Sequence, residues 1–243
     1  MATQTLALVG AAGGAGTTRL TIESGATLAR AGYDVALFDA AFETQGMRSY
    51  LDGRIEDDVT ALLTGDAELG DVLYHHSIDL DGRLAVSPAR APFERLARAK
   101  TAGAAERFER QLAATSLSHD VVLIDTPPVG ANQALAAVNA ADAVAVVTPD
   151  SRRGRDALAH TRERFVDIGA EIDTVIANRS EGEELTDVDV HIPETDVTAP
   201  GQCPSCVPPD DSFAPAVADA LEATLDLDLD LGFAESGRLN FLS

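Results

Sequence analysis

The chain has 243 residues, of which 45% are hydrophobic, and a formal net charge of −22. This length and apolar content allow a buried core and exclude a wholly disordered chain. No apolar run approaches the roughly 18 residues of a membrane span. The acidic balance argues against direct membrane binding and against non-specific DNA binding, because both depend on clustered Lys and Arg. The N-terminal residues show no secretory pattern, so we expect a cytoplasmic protein.

The basic residues are also unusual. There are 18 of them, and only one, Lys100, is lysine. Dense surface carboxylates with almost no lysine indicate adaptation to high intracellular salt, since at molar salt the Debye length is about 3 Å and self-repulsion is screened. We therefore interpret the charge as a solvated surface rather than a ligand-binding face.

Short apolar runs alternate with longer segments that are compatible with helices. Runs at 6–9, 35–38, 84–86, 121–124, 143–147 and 174–177 are predicted to be strands. They are apolar on both faces, as expected for strands buried between two helical layers. Helices are predicted over 18–31 and 151–168, because each segment is followed by a glycine that can end a helix. The alternation predicts an α/β fold with a doubly wound, mostly parallel sheet and helices on both faces.

The sequence changes character near residue 180. We assign residues 1–180 to the core of one domain, and residues 181–243 to an acidic, proline-rich loop, a closing helix and a tail of the same domain. Within the second part, 188–192 is predicted as an edge strand and Phe213–Leu225 as a helix. Earlier in the chain, His75-His76 lies in a polar stretch that we predict to be a solvated turn.

A glycine-rich turn separates the first predicted strand from the first predicted helix. It reads Gly-Ala-Ala-Gly-Gly-Ala-Gly-Thr-Thr over residues 10–18. A strand, a glycine loop and a helix N-terminus in this order form an anion site, because backbone N–H groups converge and the helix dipole adds positive potential. The alternative is that the small residues serve packing alone.

This turn resembles the P-loop of the MinD/ParA family of ATPases, whose pattern is Lys-Gly-Gly-x-Gly-Lys-Thr-Thr. The chain keeps Gly13, Gly14, Gly16 and Thr18 of that pattern. Further matching segments are 35–39 with its terminal aspartate, 121–128 (Val-Val-Leu-Ile-Asp-Thr-Pro-Pro), 141–150 and Asn178-Arg179. The resemblance covers about residues 3–180 and implies a P-loop NTPase-like fold.

The resemblance implies ATP or ADP bound with Mg²⁺. It places the phosphates on Gly13, Gly14, Ala15, Gly16, Thr17 and Thr18, and the adenine near Asn178 and Arg179. It also implies that Thr18, Asp39 and Asp125 hold Mg²⁺, and Asp39 is in addition the candidate catalytic carboxylate. A homodimer and a protein partner, which the sequence does not identify, are implied in the same way.

Three departures from the family pattern concern charge. Ala12 and Thr17 stand where the family has its two lysines, and Ala41 aligns with a second aspartate associated with the attacking water. A hydrogen bond from a charged group contributes about 1.5–3 kcal/mol, roughly a tenfold to hundredfold change in affinity. The three absences indicate nucleotide binding without efficient turnover, or no nucleotide binding at all. We predict the former, a nucleotide-binding switch or scaffold that is a pseudo-ATPase with impaired hydrolysis. The alternative is a slow ATPase that positions or partitions a cargo.

Nearby arginines could compensate for the missing lysines. Arg152, Arg153 and Arg155 lie in the first turn of a predicted helix at the ligand-binding edge, and Arg19 follows the glycine loop. One hypothesis is that one of them contacts phosphate or an acidic partner. The favoured interpretation is that they form weak surface salt bridges. The expected partners are Asp150, Asp156 and Glu163.

The two cysteines form a Cys-Pro-Ser-Cys motif. Cys203 and Cys206 alone cannot complete a tetrahedral thiolate site, but two chains could supply four ligands. A third hypothesis is therefore a zinc or iron–sulfur carrier, similar to the Mrp-type carriers, with His191 as a possible extra ligand. A redox disulfide and an absence of any role remain open, and the favoured interpretation of His191 is an exposed or hydrogen-bonded edge-strand histidine.

Overall fold

The computed structural model describes residues 3–76, 78–182, 184–206 and 212–233. Eight strands form one sheet. They are β1 Gln4–Gly10, β2 Asp34–Asp39, β3 Tyr74–His75, β4 Arg83–Ser87, β5 Val121–Thr126, β6 Ala143–Pro149, β7 Thr174–Asn178 and β8 Val190–Ile192. Their order is β3-β4-β2-β5-β1-β6-β7-β8, and every neighbouring pair is parallel except β3 with β4.

Eight α-helices accompany the sheet in the described residues. They are α1 Thr17–Arg30, α2 Val59–Thr64, α3 Leu69–Val72, α4 Phe93–Ala99, α5 Ala102–Thr115, α6 Asn132–Ala140, α7 Arg152–Ile168 and α8 Phe213–Leu225. Two short 3₁₀ helices, Met47–Tyr50 and Pro200–Gln202, contact each other. No helix within these ranges is long and apolar enough to cross a membrane.

The predicted fold class is confirmed, and so are the six predicted strands, the edge strand at β8 and the helices α1, α7 and α8. The helix stops also follow the sequence. Gly169 ends α7 with φ 69°, in the left-handed region that glycine adopts without strain. Part of the predicted proline-rich loop, residues 207–211, and the end of the tail, 234–243, lie outside the described residues.

The turn predicted at His75-His76 is wrong. Tyr74–His75 pairs antiparallel with β4, and the backbone N–H of His76 donates to the carbonyl of Leu84 at 2.8 Å. His76 is half-buried, and burial lowers the pKa of its ring. A two-residue strand is too short to show an apolar alternation, so the polar composition of the segment gave the wrong prediction.

Helices cover both faces of the sheet because side chains alternate along each strand. Leu6 and Leu8 belong to a core that contains α1 and α8, whereas Ala7 and Val9 face the opposite side with α7. A further core on that second side joins β2 and β5 to α2 and α5. Because the central strands are parallel, their carboxyl ends meet at one edge of the sheet.

Candidate functional site

The glycine-rich loop connects β1 to α1 at this carboxyl edge. Gly14 and Gly16 have φ of 81° and 90°, which residues with a Cβ rarely adopt. Gly13 and Gly14 are exposed, and a Cβ on either would meet no atom of the described residues within 4 Å. No side chain of the described residues caps α1 at Gly16. The first N–H groups of α1 therefore have no intrahelical partner and have room for an anion.

Two buried carboxylates lie next to this loop. Asp39 ends β2 and Asp125 lies near the end of β5, and the two are register partners in the sheet. Asp39 Oδ1 accepts from the N–H of Ala41 at 2.9 Å, and Oδ2 accepts from the N–H of Ala89 at 3.2 Å. The Thr18 hydroxyl lies close enough to Asp125 to lower the pKa of that carboxyl, but Asp125 Oδ2 is buried without a hydrogen-bond partner among the described residues.

Burial shifts the proton equilibria of both groups. Desolvation, together with the neighbouring Asp125 carboxylate, raises the pKa of Asp39 to about 8. Desolvation raises the pKa of Asp125 to about 7, against a lowering contribution from its hydrogen bond with Thr18. In each case burial raises the free energy of the charged carboxylate relative to the neutral acid, because water no longer solvates the charge.

The structure thus brings Thr18, Asp39 and Asp125 together. One hydroxyl and two carboxylates are hard oxygen donors, which Mg²⁺ prefers. A bound cation would compensate two like charges and provide a partner for Asp125 Oδ2. The residues present fit Mg²⁺.

The positions where the family has lysine carry no charge here. The Thr17 side chain is 9% exposed, and its Oγ1 lies so close to Gly10 that a Cβ there would come within 2.8 Å. Ala12 contributes only its carbonyl, which accepts from the N–H of Ala15 at 3.2 Å. Ala41 supplies a backbone donor to Asp39 and no carboxylate.

A cavity of about 130 Å³ adjoins the loop, between Tyr50, the end of β7 and residues 193–198. Asn178 and Arg179 line it, beside Gly16. The Asn178 amide is bonded at both ends, since Nδ2 donates to the carbonyl of Ala15 at 2.8 Å and Oδ1 accepts from the N–H of Arg179 at 3.0 Å. A larger cavity of about 680 Å³ lies near Gln4, at the opposite ends of the strands, and contains none of the predicted site residues.

Glu23, on α1, was not predicted as an important residue. It is fully buried, and both carboxylate oxygens accept from the N–H of Ser205 at 2.8 Å. Oε2 also accepts from the N–H of Cys206 at 2.8 Å, and Oε1 accepts from Arg19 Nε at 2.6 Å. We call Arg19, Glu23, Ser205 and Cys206 the Glu23 latch, because they fasten the C-terminal segment to the helix that follows the glycine loop. The i,i+4 spacing of Arg19 and Glu23 was visible in the sequence, but it did not reveal the contact 182 residues away.

The arginines near the loop differ in their contacts. Besides Glu23, Arg19 donates to the carbonyl of Val197 and to Ser205 Oγ, each at 2.8 Å, and its guanidinium lies over the Phe213 ring.

The three arginines that begin α7 are exposed. Arg155 pairs with Glu184 rather than with the predicted Asp150, Asp156 or Glu163. Arg152 and Arg153 form no ion pair within the described ranges. The predicted salt-bridge partners are therefore wrong for all three.

Both thiols of the Cys-Pro-Ser-Cys motif are free and buried. Cys203 Sγ donates to the carbonyl of Ala199 at 3.2 Å, and Cys206 belongs to the core beneath α1 and α8. Burial raises the pKa of both thiols. No group of three or more potential metal ligands occurs in the part of the chain that the structure describes, and His191 Nδ1 contacts Ser180 Oγ at 2.7 Å. The zinc or iron–sulfur hypothesis therefore has no support from these residues.

The strand order, the glycine loop at the start of α1 and the carboxylates at the ends of β2 and β5 define a P-loop NTPase-like protein. A family model described as an AAA domain matches residues 3–171, and the chain belongs to this family. No curated protein sequence matches the chain.

Several solved structures have a fold similar to that of this chain. The septum site-determining protein MinD from Pyrococcus horikoshii, complexed with Mg-ADP, has a TM-score of 0.76 at 21% identity over 90% of this chain and 95% of that one. MinD in the MinC:MinD complex of Aquifex aeolicus has a TM-score of 0.74 at 21% identity, over 89% and 93%. Cobyrinic acid a,c-diamide synthase from Mycobacterium smegmatis, with an ATP analogue and magnesium, has a TM-score of 0.69 at 21% identity, over 89% and 92%. The predicted resemblance to MinD/ParA ATPases is thus confirmed, and the chain has their nucleotide-binding fold.

Proposed function

We propose that this protein binds ADP or ATP with Mg²⁺ and acts as a partner-binding switch or scaffold with impaired hydrolysis. The observation that carries the proposal is the buried Asp125 Oδ2, which has no hydrogen-bond partner among the described residues and lies beside Thr18, Asp39 and an open glycine loop. Burying two like carboxylates is unfavourable, and a cation offsets that cost. An anion at the N-terminus of α1 would in turn be held beside this cation.

Each residue then has a defined role. The N–H groups of Gly13 to Thr18 hold the phosphates, and Thr18, Asp39 and Asp125 hold Mg²⁺. When bound, the metal neutralises phosphate charge. Asn178 and Arg179 line the cavity beside the loop, at the position where the family resemblance implies the base. Structures of similar fold in complex with Mg-ADP, or with an ATP analogue and magnesium, support this arrangement.

Impaired hydrolysis follows from the missing charges. Positioned cations at the transferring phosphoryl group supply most of the stabilisation in P-loop chemistry. Ala12, Thr17 and Ala41 supply no charge, and Thr17 is directed towards Gly10. In the alternative of a slow ATPase, Asp39 is the candidate base, and the N–H groups of Ala41 and Ala89 orient its carboxylate.

The state that binds a partner is proposed to be a cytoplasmic homodimer. The resemblance to MinD/ParA ATPases supports this part of the proposal, and so does a relative of similar fold that was solved in complex with MinC. The partner of this chain is left as an unidentified protein.

Titration calorimetry with Mg·ADP and Mg·ATP in concentrated KCl tests the binding, and phosphate release tests turnover. We expect Mg²⁺-dependent binding that Asp125→Asn weakens. We expect the lysine-restored variant Ala12→Lys/Thr17→Lys to bind about tenfold to hundredfold more tightly and to hydrolyse ATP faster. Binding that is absent, or independent of Mg²⁺, would refute nucleotide function. Wild-type turnover equal to that of the restored variant would refute impaired hydrolysis and favour the slow-ATPase alternative.

A further inference from the structure

We propose that Arg179 supplies in cis the positive charge that the glycine loop lacks at Thr17, and that it contacts the phosphate chain of the nucleotide rather than the base. The inference rests on the proposed nucleotide function and deepens it. It differs from the expectation carried by the family resemblance, which places this residue at the adenine.

The Arg179 guanidinium lies beside the glycine loop. Arg179 directly follows β7, and its Nη2 lies 3.7 Å from the place that a Cβ on Gly16 would occupy. Gly16 precedes the first turn of α1, where the N–H groups and the helix dipole attract anions. The guanidinium and the helix N-terminus therefore form a local positive site on a chain whose net charge is −22.

The backbone at Arg179 is held close to the glycine loop. Arg179 has φ 54°, in the left-handed region, and its N–H donates to Asn178 Oδ1. The same Asn178 side chain donates to the carbonyl of Ala15 in the loop. Asn178 thus ties the backbone of Arg179 to the glycine loop, and the Arg179 side chain begins beside that loop.

Of the other cations, Arg19 and Lys100 already have partners, whereas Arg152 and Arg153 are exposed at the start of α7 and do not line the cavity. Arg19 donates to Glu23, Val197 and Ser205, and the single lysine, Lys100, pairs with Glu43. Arg179 forms no ion pair with any residue in the described ranges. The one acidic residue that lines the cavity in those ranges, Glu194, is exposed and is not paired with it.

The chemistry of the group favours phosphate. A guanidinium presents planar, charged donors that match phosphate oxygens in a bidentate arrangement, whereas a neutral base offers no charge to it. The arginine guanidinium offers several N–H donors in one plane, whereas the ammonium of the missing lysine is a compact point charge. Arg179 lies at the exposed end of β7, where a long guanidinium side chain has room to reach a phosphate, whereas Thr17 is buried.

The test compares ligands with and without phosphates. Affinities for Mg·ADP, adenosine and inorganic triphosphate are measured for the wild type and for Arg179→Ala, Arg179→Lys and Arg179→Gly. The matched control is Arg110→Ala, an exposed arginine of α5 that has no ion pair within the described residues. We expect Arg179→Ala to lose about tenfold to hundredfold in affinity for Mg·ADP and for triphosphate, with adenosine binding unchanged.

The variants separate charge from strain. Glycine fits the left-handed backbone, so Arg179→Gly should lose as much affinity as Arg179→Ala, whereas Arg179→Lys should keep part of it. An equal loss for adenosine and Mg·ADP would assign Arg179 to the base and overturn the proposal, as would no loss at all. If the wild type bound no adenine ligand, the proposed function would fail. Triphosphate binding that Arg179→Ala removes would still support the role of Arg179.

Discussion

Glu23 and the Asp39–Asp125 pair are all buried carboxylates at the level of the glycine loop, but their surroundings differ. Glu23 accepts hydrogen bonds from two backbone N–H groups, a serine hydroxyl and the guanidinium of Arg19. The aspartates face one another at the ends of neighbouring strands, with no cation paired to either in the described residues and with one oxygen unbonded. The chain thus supplies hydrogen bonds and a counter-charge to Glu23, but it supplies no counter-charge to the two aspartates.

The difference shows how a buried charge can be classified from its partners. Some buried carboxylates are fully hydrogen-bonded and paired with a cation of the same chain. Such a group stabilises one packing arrangement and needs no ligand. Like charges buried together with an unbonded oxygen lower stability, and they persist where a ligand completes them. We therefore propose a structural role for the Glu23 latch and a binding role for the aspartate pair.

The largest expected effect is on the Glu23 latch. Glu23→Ala leaves Arg19 and the N–H groups of Ser205 and Cys206 without their acceptor, so we expect a loss of about 3–5 kcal/mol in the free energy of unfolding. Denaturant unfolding in concentrated KCl measures it. Glu106→Ala, at an exposed position of α5, is the matched control and should stay within about 0.5 kcal/mol of the wild type. Equal effects of the two substitutions would contradict the assignment of Glu23 to structure.

The aspartate pair should behave in the opposite way. Because the pKa values of Asp39 and Asp125 are raised to about 8 and about 7, the metal-free native state holds protons that the unfolded state has released above about pH 4. Stability contributed by the pair is thus fully present below about pH 4. It falls by about 1.4 kcal/mol per pH unit for each proton until the pH passes the raised pKa values of about 7 and about 8. Asp125→Asn should therefore be more stable than the wild type at about pH 8 in EDTA, with a smaller difference at about pH 5.

Magnesium provides the second half of that experiment. The ion binds the ionised carboxylates, so MgCl₂ should stabilise the wild type at high pH and leave Asp125→Asn nearly unaffected. Unfolding curves with EDTA and with MgCl₂ give both comparisons. A wild type that gains stability relative to Asp125→Asn as the pH rises in EDTA would show that the aspartates are not buried as like charges.

The two regions also differ in how far the sequence predicted them. The resemblance to MinD/ParA ATPases implied the two aspartates, and it could be recognised because each aspartate follows an apolar run at the end of a predicted strand. Glu23 was not predicted, because its partners Ser205 and Cys206 are distant in the chain and come from a loop with no period. Arg155 likewise pairs with Glu184 from a neighbouring loop. Contacts that depend on where a loop docks leave no local pattern, whereas strand-end positions do.

A third prediction concerns Gly16, where a substitution disturbs the contact with Asn178 and leaves both aspartates unchanged. A Cβ at Gly16 would lie 2.3 Å from Asn178 Nδ2, at a residue whose φ is 90°. We expect Gly16→Ala to cost about 1–3 kcal/mol of stability and to weaken Mg·ADP binding. Gly13→Ala, where a Cβ meets no described atom within 4 Å, should change stability by less than about 0.5 kcal/mol. Identical unfolding free energies for the two variants would show that the loop is not held by Asn178.

The smallest expected effect concerns the thiol of Cys203, which precedes the Glu23 latch in the chain. Cys203 Sγ donates to the carbonyl of Ala199, and a serine hydroxyl can make the same bond, so Cys203→Ser should change stability by about 1 kcal/mol or less. If the carboxylate of Glu23 holds the segment, elemental analysis of anaerobically purified wild type and Cys203→Ser should find no stoichiometric zinc or iron in either. Stoichiometric metal in the wild type that disappears in Cys203→Ser would mean that a ligand, and not the chain alone, completes this region. The contrast between Glu23 and the aspartate pair would then no longer hold.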